Sequence, residues 1–157
     1  MKAYTNVNLV TCDSEFHIYH DGLLVVDGSQ IAYCGDHDEV WLAKCREVVD
    51  YDGAWIMPGL VNCHTHSAMT LLRGIRDDSN LHEWLEDYIW PAESQFTADV
   101  TTKAVQVALA EMLQSGTTTF NDMYNPQGVE IDRIYQAVRQ SGMRCYFSPT
   151  LFSSEAE

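Results

Sequence analysis

The sequence predicts an α/β protein with two regions of different architecture. In residues 1–57, short apolar and β-branched runs alternate with Gly and Asp turn signals, which is typical of a small β-rich region. In residues 58–157, strand patterns alternate with helix patterns, as in the βαβ units that build a parallel sheet. The length of 157 residues is far below the roughly 250 of a closed (β/α)₈ barrel. We therefore expect two domains that meet at 57/58, the second with a parallel sheet, and the length is too short for a closed eight-stranded barrel.

The β-rich region is predicted to contain three short strands. Their apolar runs lie at 8–10, 23–26 and 31–34, and Asp27-Gly28 between the second and third runs is typical of a hairpin turn. We expect these strands to pair antiparallel. One helix is predicted at about 39–47.

The second region is predicted to follow the order β, α, α, β, α, β. Its first strand opens at 60–62. A helix is expected after Asn80, which can cap it with Glu83 as the reciprocal partner, and Pro91 is expected to mark the helix end.

The remaining elements follow from helical spacing and glycine stops. A helix is predicted over 97–115, with Gly116 as its stop, then a strand over 117–121, a helix over 131–140 and a strand over 143–148. The apolar residues expected on the buried faces of the two helices are Val100, Ala104, Val107, Ala108, Met112 and Leu113, then Ile131, Ile134, Tyr135 and Val138.

Composition excludes several classes of partner. The sequence has 23 acidic and 9 basic side chains, a formal net charge of −14. Because clustered Lys and Arg are missing, we expect neither a nucleic-acid nor a membrane partner. No apolar run approaches the roughly 18 residues of a bilayer span, and no signal-peptide pattern opens the sequence, which predicts a cytoplasmic protein. The five scattered cysteines are interpreted as buried, reduced thiols.

The segment with the clearest chemical meaning is 58–66, PGLVNCHTH. At a strand end, the period of two directs His64 and His66 to the same side, where two imidazole nitrogens can meet one metal ion. Neutral imidazole suits zinc, iron, nickel or copper, and the motif does not choose among them. Two hydrogen-bonded structural histidines are the alternative. The position after the first parallel strand favours metal binding.

A second polar group is expected at the same edge of the sheet. Asn121 and Asp122 end the second strand of this region. Asp122 can orient a ligand histidine from the second coordination shell, as carboxylates often do, or it can cap the following turn.

Residues 50–93 carry a resemblance to a known family. The stretch from Asp50 to His66, followed by SAMTLLRG at 67–74, Trp84-Leu85 and Pro91-Ala92-Glu93, resembles the amidohydrolase superfamily. The resemblance is to the branch of 5-methylthioadenosine/S-adenosylhomocysteine deaminases, with Atz/Trz chlorohydrolases as near relatives. It extends over the whole chain but only over the first third or so of the family's length. It implies amino-terminal strands of a composite β-sandwich, followed by the first three βα units of an incomplete (β/α)₈ TIM barrel.

The resemblance also implies the roles of individual residues. His64 and His66 would be two ligands of one divalent metal ion, zinc or iron. Glu93 would accept hydrogen bonds from the ribose hydroxyls, and Met69 and Trp84 would line the apolar side of the substrate pocket. The alternative for Glu93 is a solvated residue without a binding role. The alternative for Met69 and Trp84 is that both are ordinary core residues.

The implied reaction is hydrolytic deamination of a purine nucleoside such as 5-methylthioadenosine or S-adenosylhomocysteine, without an organic cofactor. The further catalytic groups of the family lie on later strands, so the 157-residue chain alone is expected to be inactive. Its open sheet edge predicts a homo-oligomer. Three alternatives remain: a triazine or guanine hydrolase of the same superfamily, a non-catalytic truncated relative acting as a binding or assembly module, and an unrelated small α/β protein with a structural metal site.

Overall fold

The computed structural model describes residues 1–124 and 130–149. It shows a mixed α/β fold whose contacts divide the chain into two compact units, Met1–Pro58 and a second unit that begins at Gly59. Within the described ranges, no helix combines the length and the apolar character that a membrane crossing requires.

The first unit is built on a five-stranded sheet. Strand β1 (Lys2–Val10) pairs antiparallel with β2 (Ile18–Asp27), and β2 pairs antiparallel with β3 (Gln30–Gly35) across the predicted hairpin turn. Strand β1 also pairs in parallel with β4 (Glu47–Asp50) and β5 (Trp55–Ile56). The antiparallel pairing expected for the three predicted strands is therefore confirmed, and the parallel strands β4 and β5 are additional strands that the sequence did not predict.

The helix of the first unit is shorter than the sequence predicts. Helix α1 (Glu39–Leu42) begins after Asp38, whose carboxylate accepts hydrogen bonds from two backbone N–H groups of the first turn. The chain leaves the helix early because Arg46 N–H donates to the carbonyl of Met1, at 3.0 Å, and strand β4 then runs beside β1. The predicted helix is thus wrong over 43–47, where pairing with a distant strand overrides local propensity.

The second unit contains a parallel sheet in the order β6 (Leu60–Thr65), β7 (Thr117–Tyr124), β8 (Arg144–Pro149). A 3₁₀ helix, Ser67–Leu72, follows β6. The other helices of the second unit are α2 (Leu81–Glu83), a π-helical segment (Trp84–Ile89), α3 (Trp90–Glu93), α4 (Ala98–Gln114) and α5 (Ile131–Ser141).

The helical run that begins after Asn80 differs from the prediction at its end. The Asn80 side chain accepts a hydrogen bond from the Glu83 N–H at 3.1 Å, which confirms the cap. The Glu83 carboxylate returns to the side-chain amide of Asn80 and to the hydroxyl of Ser79. Pro91 does not end the helix: it lies in the first turn of α3, next to the wider π-helical turns, where its missing N–H is tolerated. The helix therefore continues to Glu93.

Helices α4 and α5 have the predicted extents, but their buried faces are rotated. Gly116 and Gly142 follow them with φ of 85° and 77°, as glycine stops do. Several of the residues expected in the core are exposed, namely Val107, Leu113, Ile131 and Tyr135. Their places are taken by the core residues Val105, Leu109 and Ala137, which pack with Phe120 and Met143. Adjacent stripes of a helix share the same spacing, so the packing partner decides which stripe is buried.

The interpretation of the cysteines is partly wrong. All five lie within the described residues and none forms a disulfide there, but Cys12 and Cys63 are exposed. Cys63 lies on β6, whose strand neighbours also include exposed residues. The sheet face on that side is not covered by the described helices, which pack instead on the side of Phe120.

Among the described glycines of the second unit, Gly59 has the least room for a side chain. A Cβ built there would lie 2.7 Å from the Cβ of Thr118 and would overlap the hydroxyl and methyl groups of that side chain. The neighbouring Leu60 N–H donates to the Gly116 carbonyl at 2.9 Å, which holds the backbone against β7. We expect Gly59→Ala to lower the free energy of unfolding by about 1–3 kcal/mol, measured by urea denaturation.

The matched control for Gly59→Ala is the double variant Gly59→Ala/Thr118→Ala. It removes the two Thr118 atoms that overlap most, so part of the lost stability should return. An unchanged denaturation midpoint for Gly59→Ala alone would show that this close packing does not exist.

Candidate metal and substrate site

Strand β6 brings two imidazole rings together at its carboxyl end. The strand itself ends at Thr65, and His66 leads directly into the 3₁₀ helix Ser67–Leu72. The ring centroids of His64 and His66 are 5.1 Å apart and the ring planes cross at 78°. His64 is exposed and His66 is half-buried. Imidazole nitrogens are common zinc ligands, so the chemistry of the pair fits two positions of a zinc site.

The described residues do not complete such a site. In 1–124 and 130–149, no group of three or more His, Cys, Asp and Glu side chains is placed to hold a metal ion. A catalytic zinc has typically three protein ligands and a water molecule. The histidine pair therefore accounts for part of a metal site, and other ligands are needed.

Polar side chains tie the ends of the three strands together. The side-chain Oδ1 of Asn62 accepts a hydrogen bond from the backbone N–H of His64 at 3.1 Å. The Asn121 amide donates to the Cys63 carbonyl at 3.5 Å, and Asn121 accepts from the Ser148 hydroxyl at 2.7 Å. The loop edge beside the histidines is thus held by side chains of β6, β7 and β8. The involvement of Asn62 and Ser148 was not predicted from the sequence.

Asp122 is fully buried and is bound to the residue that follows His66. Its carboxylate accepts hydrogen bonds from the Ser67 N–H, at 2.9 Å, and from the Ser67 hydroxyl. Burial raises the pKa of Asp122, while the bonds from Ser67 and the charge of His66 act in the opposite direction. Asp122 thus holds the backbone next to His66, and among the described residues its hydrogen bonds go to Ser67 rather than to an imidazole ring.

Two polar residues near Asp122, Ser67 and Thr65, were not predicted from the sequence to have a role in the site. Ser67 was not singled out, although a serine at the start of a helix directly after HxH is a recognisable signal for a side-chain hydrogen bond. The Thr65 hydroxyl is buried and has no hydrogen-bond partner among the described residues.

A cleft of about 690 Å³ opens beside His66. Met69 and Trp84, the two residues predicted for the apolar wall, both line it. Within the described part of the chain, His64 and Glu93 are not among the lining residues. The cleft therefore joins one histidine to the apolar pair, in a volume typical of small-molecule sites.

Glu93 lies in the last turn of α3 and is half-buried, not solvated as the alternative interpretation supposes. Partial burial raises the pKa of Glu93, and the charge of His66 acts in the opposite direction. This opposing effect requires the two groups to be within electrostatic range of each other.

Comparison with known proteins gives a consistent result. The model of the amidohydrolase family matches residues 55–157. The chain is 46% identical over 151 residues to 5-methylthioadenosine/S-adenosylhomocysteine deaminase from Bacillus cytotoxicus, a match that covers 96% of this chain and 35% of that protein. The chain thus spans about a third of the length of the curated relatives that it matches.

Solved structures also share the fold. Atrazine chlorohydrolase TrzN from Arthrobacter aurescens TC1, complexed with zinc, has a TM-score of 0.83 at 24% identity, covering 99% of this chain and 38% of that one. An adenosine deaminase from Xanthomonas campestris with bound zinc has a TM-score of 0.76 at 30% identity, covering 92% of this chain and 32% of that one. The likeness to the chlorohydrolase is evidence of fold alone.

Proposed function

The chain belongs to the amidohydrolase family, and on that premise we propose that it supplies the amino-terminal part of a metal-dependent hydrolase that deaminates a purine nucleoside. The substrate would be 5-methylthioadenosine, S-adenosylhomocysteine or a close analogue. The observation that carries the proposal is the His64–His66 pair at the carboxyl end of β6, beside a cleft with an apolar wall. The deaminase from Bacillus cytotoxicus is far more similar in sequence than the chlorohydrolase, which favours a nucleoside over a triazine.

The fold proposal is that β6, β7 and β8 are the first three strands of a (β/α)₈ barrel. Their parallel pairing in chain order supports it, as do the helices between them. The strands of Met1–Pro58 would then be part of a β-sandwich, which their mixed five-stranded sheet supports. Pairing with a second copy of the chain stays a prediction.

In the proposed site, His64 and His66 hold one divalent metal ion, zinc or iron, through their imidazole nitrogens. When bound, such an ion allows water to act as a nucleophile near neutral pH. Asp122 is the positioning residue, because it fixes the backbone of Ser67 and with it the orientation of His66. Carboxylate partners of this kind tune ligand histidines in many metal sites.

The remaining residues bind the nucleoside. The Glu93 carboxylate accepts hydrogen bonds from the two ribose hydroxyls, and its partial burial makes these charge-assisted bonds stronger than they would be in water. Met69 and Trp84 offer a thioether and an indole face to the apolar parts of the substrate. A substrate without the ribose would leave the half-buried carboxylate unpaired, which is the basis of selectivity.

The direct test uses the protein expressed from its complete gene. We expect ammonia release from 5-methylthioadenosine and S-adenosylhomocysteine, loss of this activity on chelation, and recovery on addition of zinc or iron. Guanine and atrazine are the competing substrates. Turnover of either of them in preference to both nucleosides would contradict the proposal, as would activity that survives complete removal of metal.

A further inference from the structure

We propose that Arg76 and Asp77 bind the zwitterionic amino-acid tail of the nucleoside, with the guanidinium taking the carboxylate and the Asp77 carboxylate taking the ammonium group. The inference rests on the proposed function and makes its substrate class more specific. S-adenosylhomocysteine carries such a tail, whereas 5-methylthioadenosine ends in a neutral methylthio group. The two side chains would therefore make the protein prefer the first substrate.

The two charged side chains lie where the tail of a bound nucleoside would end. Arg76 and Asp77 line the same cleft as His66, Met69 and Trp84. A ligand whose base lies near His66 and whose apolar part packs on Met69 and Trp84 can then extend its tail to the two charged groups. Both residues are exposed, so they reach the tail without themselves being buried.

The guanidinium of Arg76 is held in one orientation by its neighbours. Its Nε donates to the hydroxyl of Ser79 at 3.0 Å, and that hydroxyl donates to the Glu83 carboxylate at 3.1 Å. The guanidinium also lies 5.4 Å from the centroid of the Tyr88 ring. These contacts orient the side chain through Nε, and no hydrogen bond to another described residue uses its two terminal nitrogens. Such an oriented fork matches a carboxylate in a bidentate manner.

Arg73 lines the same cleft and shows the contrasting case. Its two terminal nitrogens donate to the two carboxylate oxygens of Glu111, at 3.2 and 2.7 Å. Arg73 is therefore already paired within the chain. Across residues 1–124 and 130–149, no ion pair involves Arg76 or Asp77.

The charge of the surroundings selects a zwitterion over a simple anion. Arg76 has Asp77 and Asp78 as its next neighbours in the chain, and it is linked to the Glu83 carboxylate through Ser79. With a net charge of −14, the chain repels a ligand that is only negative. An α-amino acid group brings its own ammonium to Asp77 and is not repelled in this way.

The test measures kcat/KM for S-adenosylhomocysteine and 5-methylthioadenosine with the protein expressed from its complete gene. We expect the wild type to prefer S-adenosylhomocysteine. Arg76→Gln should raise KM for that substrate about tenfold, since a hydrogen-bonded charge contact of moderate strength is lost. Its kcat/KM for 5-methylthioadenosine should stay within about twofold. Asp77→Asn should act in the same direction, and Arg73→Gln, the matched control, should leave the ratio of the two substrates unchanged.

Several results would overturn the inference: equal losses on both substrates for Arg76→Gln, an unchanged ratio, or a change of ratio just as large for Arg73→Gln. Failure of the proposed function has a different signature, namely no ammonia from either nucleoside with the wild type. In that case calorimetric binding decides: tighter binding of S-adenosylhomocysteine that Arg76→Gln removes supports the tail site, and equal binding of both nucleosides by the wild type refutes it.

Discussion

Replacement of His66 by alanine, in the protein expressed from its complete gene, is expected to lower kcat/KM for nucleoside deamination by at least about 10³-fold. The imidazole of His66 is half-buried beside that of His64 and borders the cleft, so in the proposed site its removal would take away one of the two metal-binding nitrogens. The same loss is expected for His64→Ala. Elemental analysis should show less than one zinc or iron per chain in both variants, and a coupled assay of ammonia release gives the rates.

The control for both variants is His82→Ala. His82 is exposed on α2 and is not a lining residue of the cleft, so its replacement should change neither metal content nor rate. Full metal content and activity in His66→Ala would show that the histidine pair does not hold the metal. If His66→Ala instead unfolds the metal-free protein, the histidines have the structural role that was the original alternative. The unfolding temperature of the apo protein separates the two cases.

The sequence predicted those parts of the fold that are governed by short-range signals. Thr97 and Gly116 bound α4 because a capping hydroxyl and a left-handed glycine act within one turn of the helix. The Asn80 side chain likewise caps the first turn of α2. The order of strands and helices in residues 58–149 follows from the same kind of information, because βα alternation leaves a periodicity that can be read locally.

The errors arise where distant residues decide the outcome. Strand β4 exists because it pairs in parallel with β1, more than forty residues earlier, whereas the local pattern of 39–47 favours a helix. Likewise, α4 buries Val105 and Leu109 rather than Val107 and Leu113, since the sheet determines which of two equally spaced stripes it meets. Pro91 is accommodated by π-helical turns, which carry no reliable sequence signature.

The features of the candidate site also fall into those set by local sequence and those set by distant residues. The proximity of His64 and His66 could be predicted from their spacing of two residues at a strand end. The bond between Ser67 and Asp122 spans 55 residues and becomes visible only in the folded chain. The difference between Arg73 and Arg76 depends on Glu111, which lies on another element, so composition and spacing give no hint that one guanidinium is paired and the other is available.

Outside the histidine pair, we expect the largest effect from Asp122→Ala, as a loss of stability. It would leave the N–H and the hydroxyl of Ser67 buried without an acceptor. Each buried, unsatisfied donor costs about 1–3 kcal/mol, so we expect the free energy of unfolding to fall by about 3 kcal/mol. Asp122→Asn retains one acceptor oxygen and should lose less than half of that amount. Urea denaturation of the metal-free protein provides the measurement.

The same residue also tests whether Asp122 does more than stabilise the fold. If it positions His66 through Ser67, Asp122→Asn should weaken zinc binding by about 10–100-fold in a chelator competition, even under conditions in which the variant is fully folded. Ser67→Ala removes the hydroxyl but keeps the backbone N–H, so it should weaken zinc binding less than Asp122→Asn does. A double-mutant cycle between the two positions should then show strong coupling, because both act on the same backbone segment. Wild-type zinc affinity in folded Asp122→Asn would restrict Asp122 to a structural role and leave the orientation of His66 to the strand end alone.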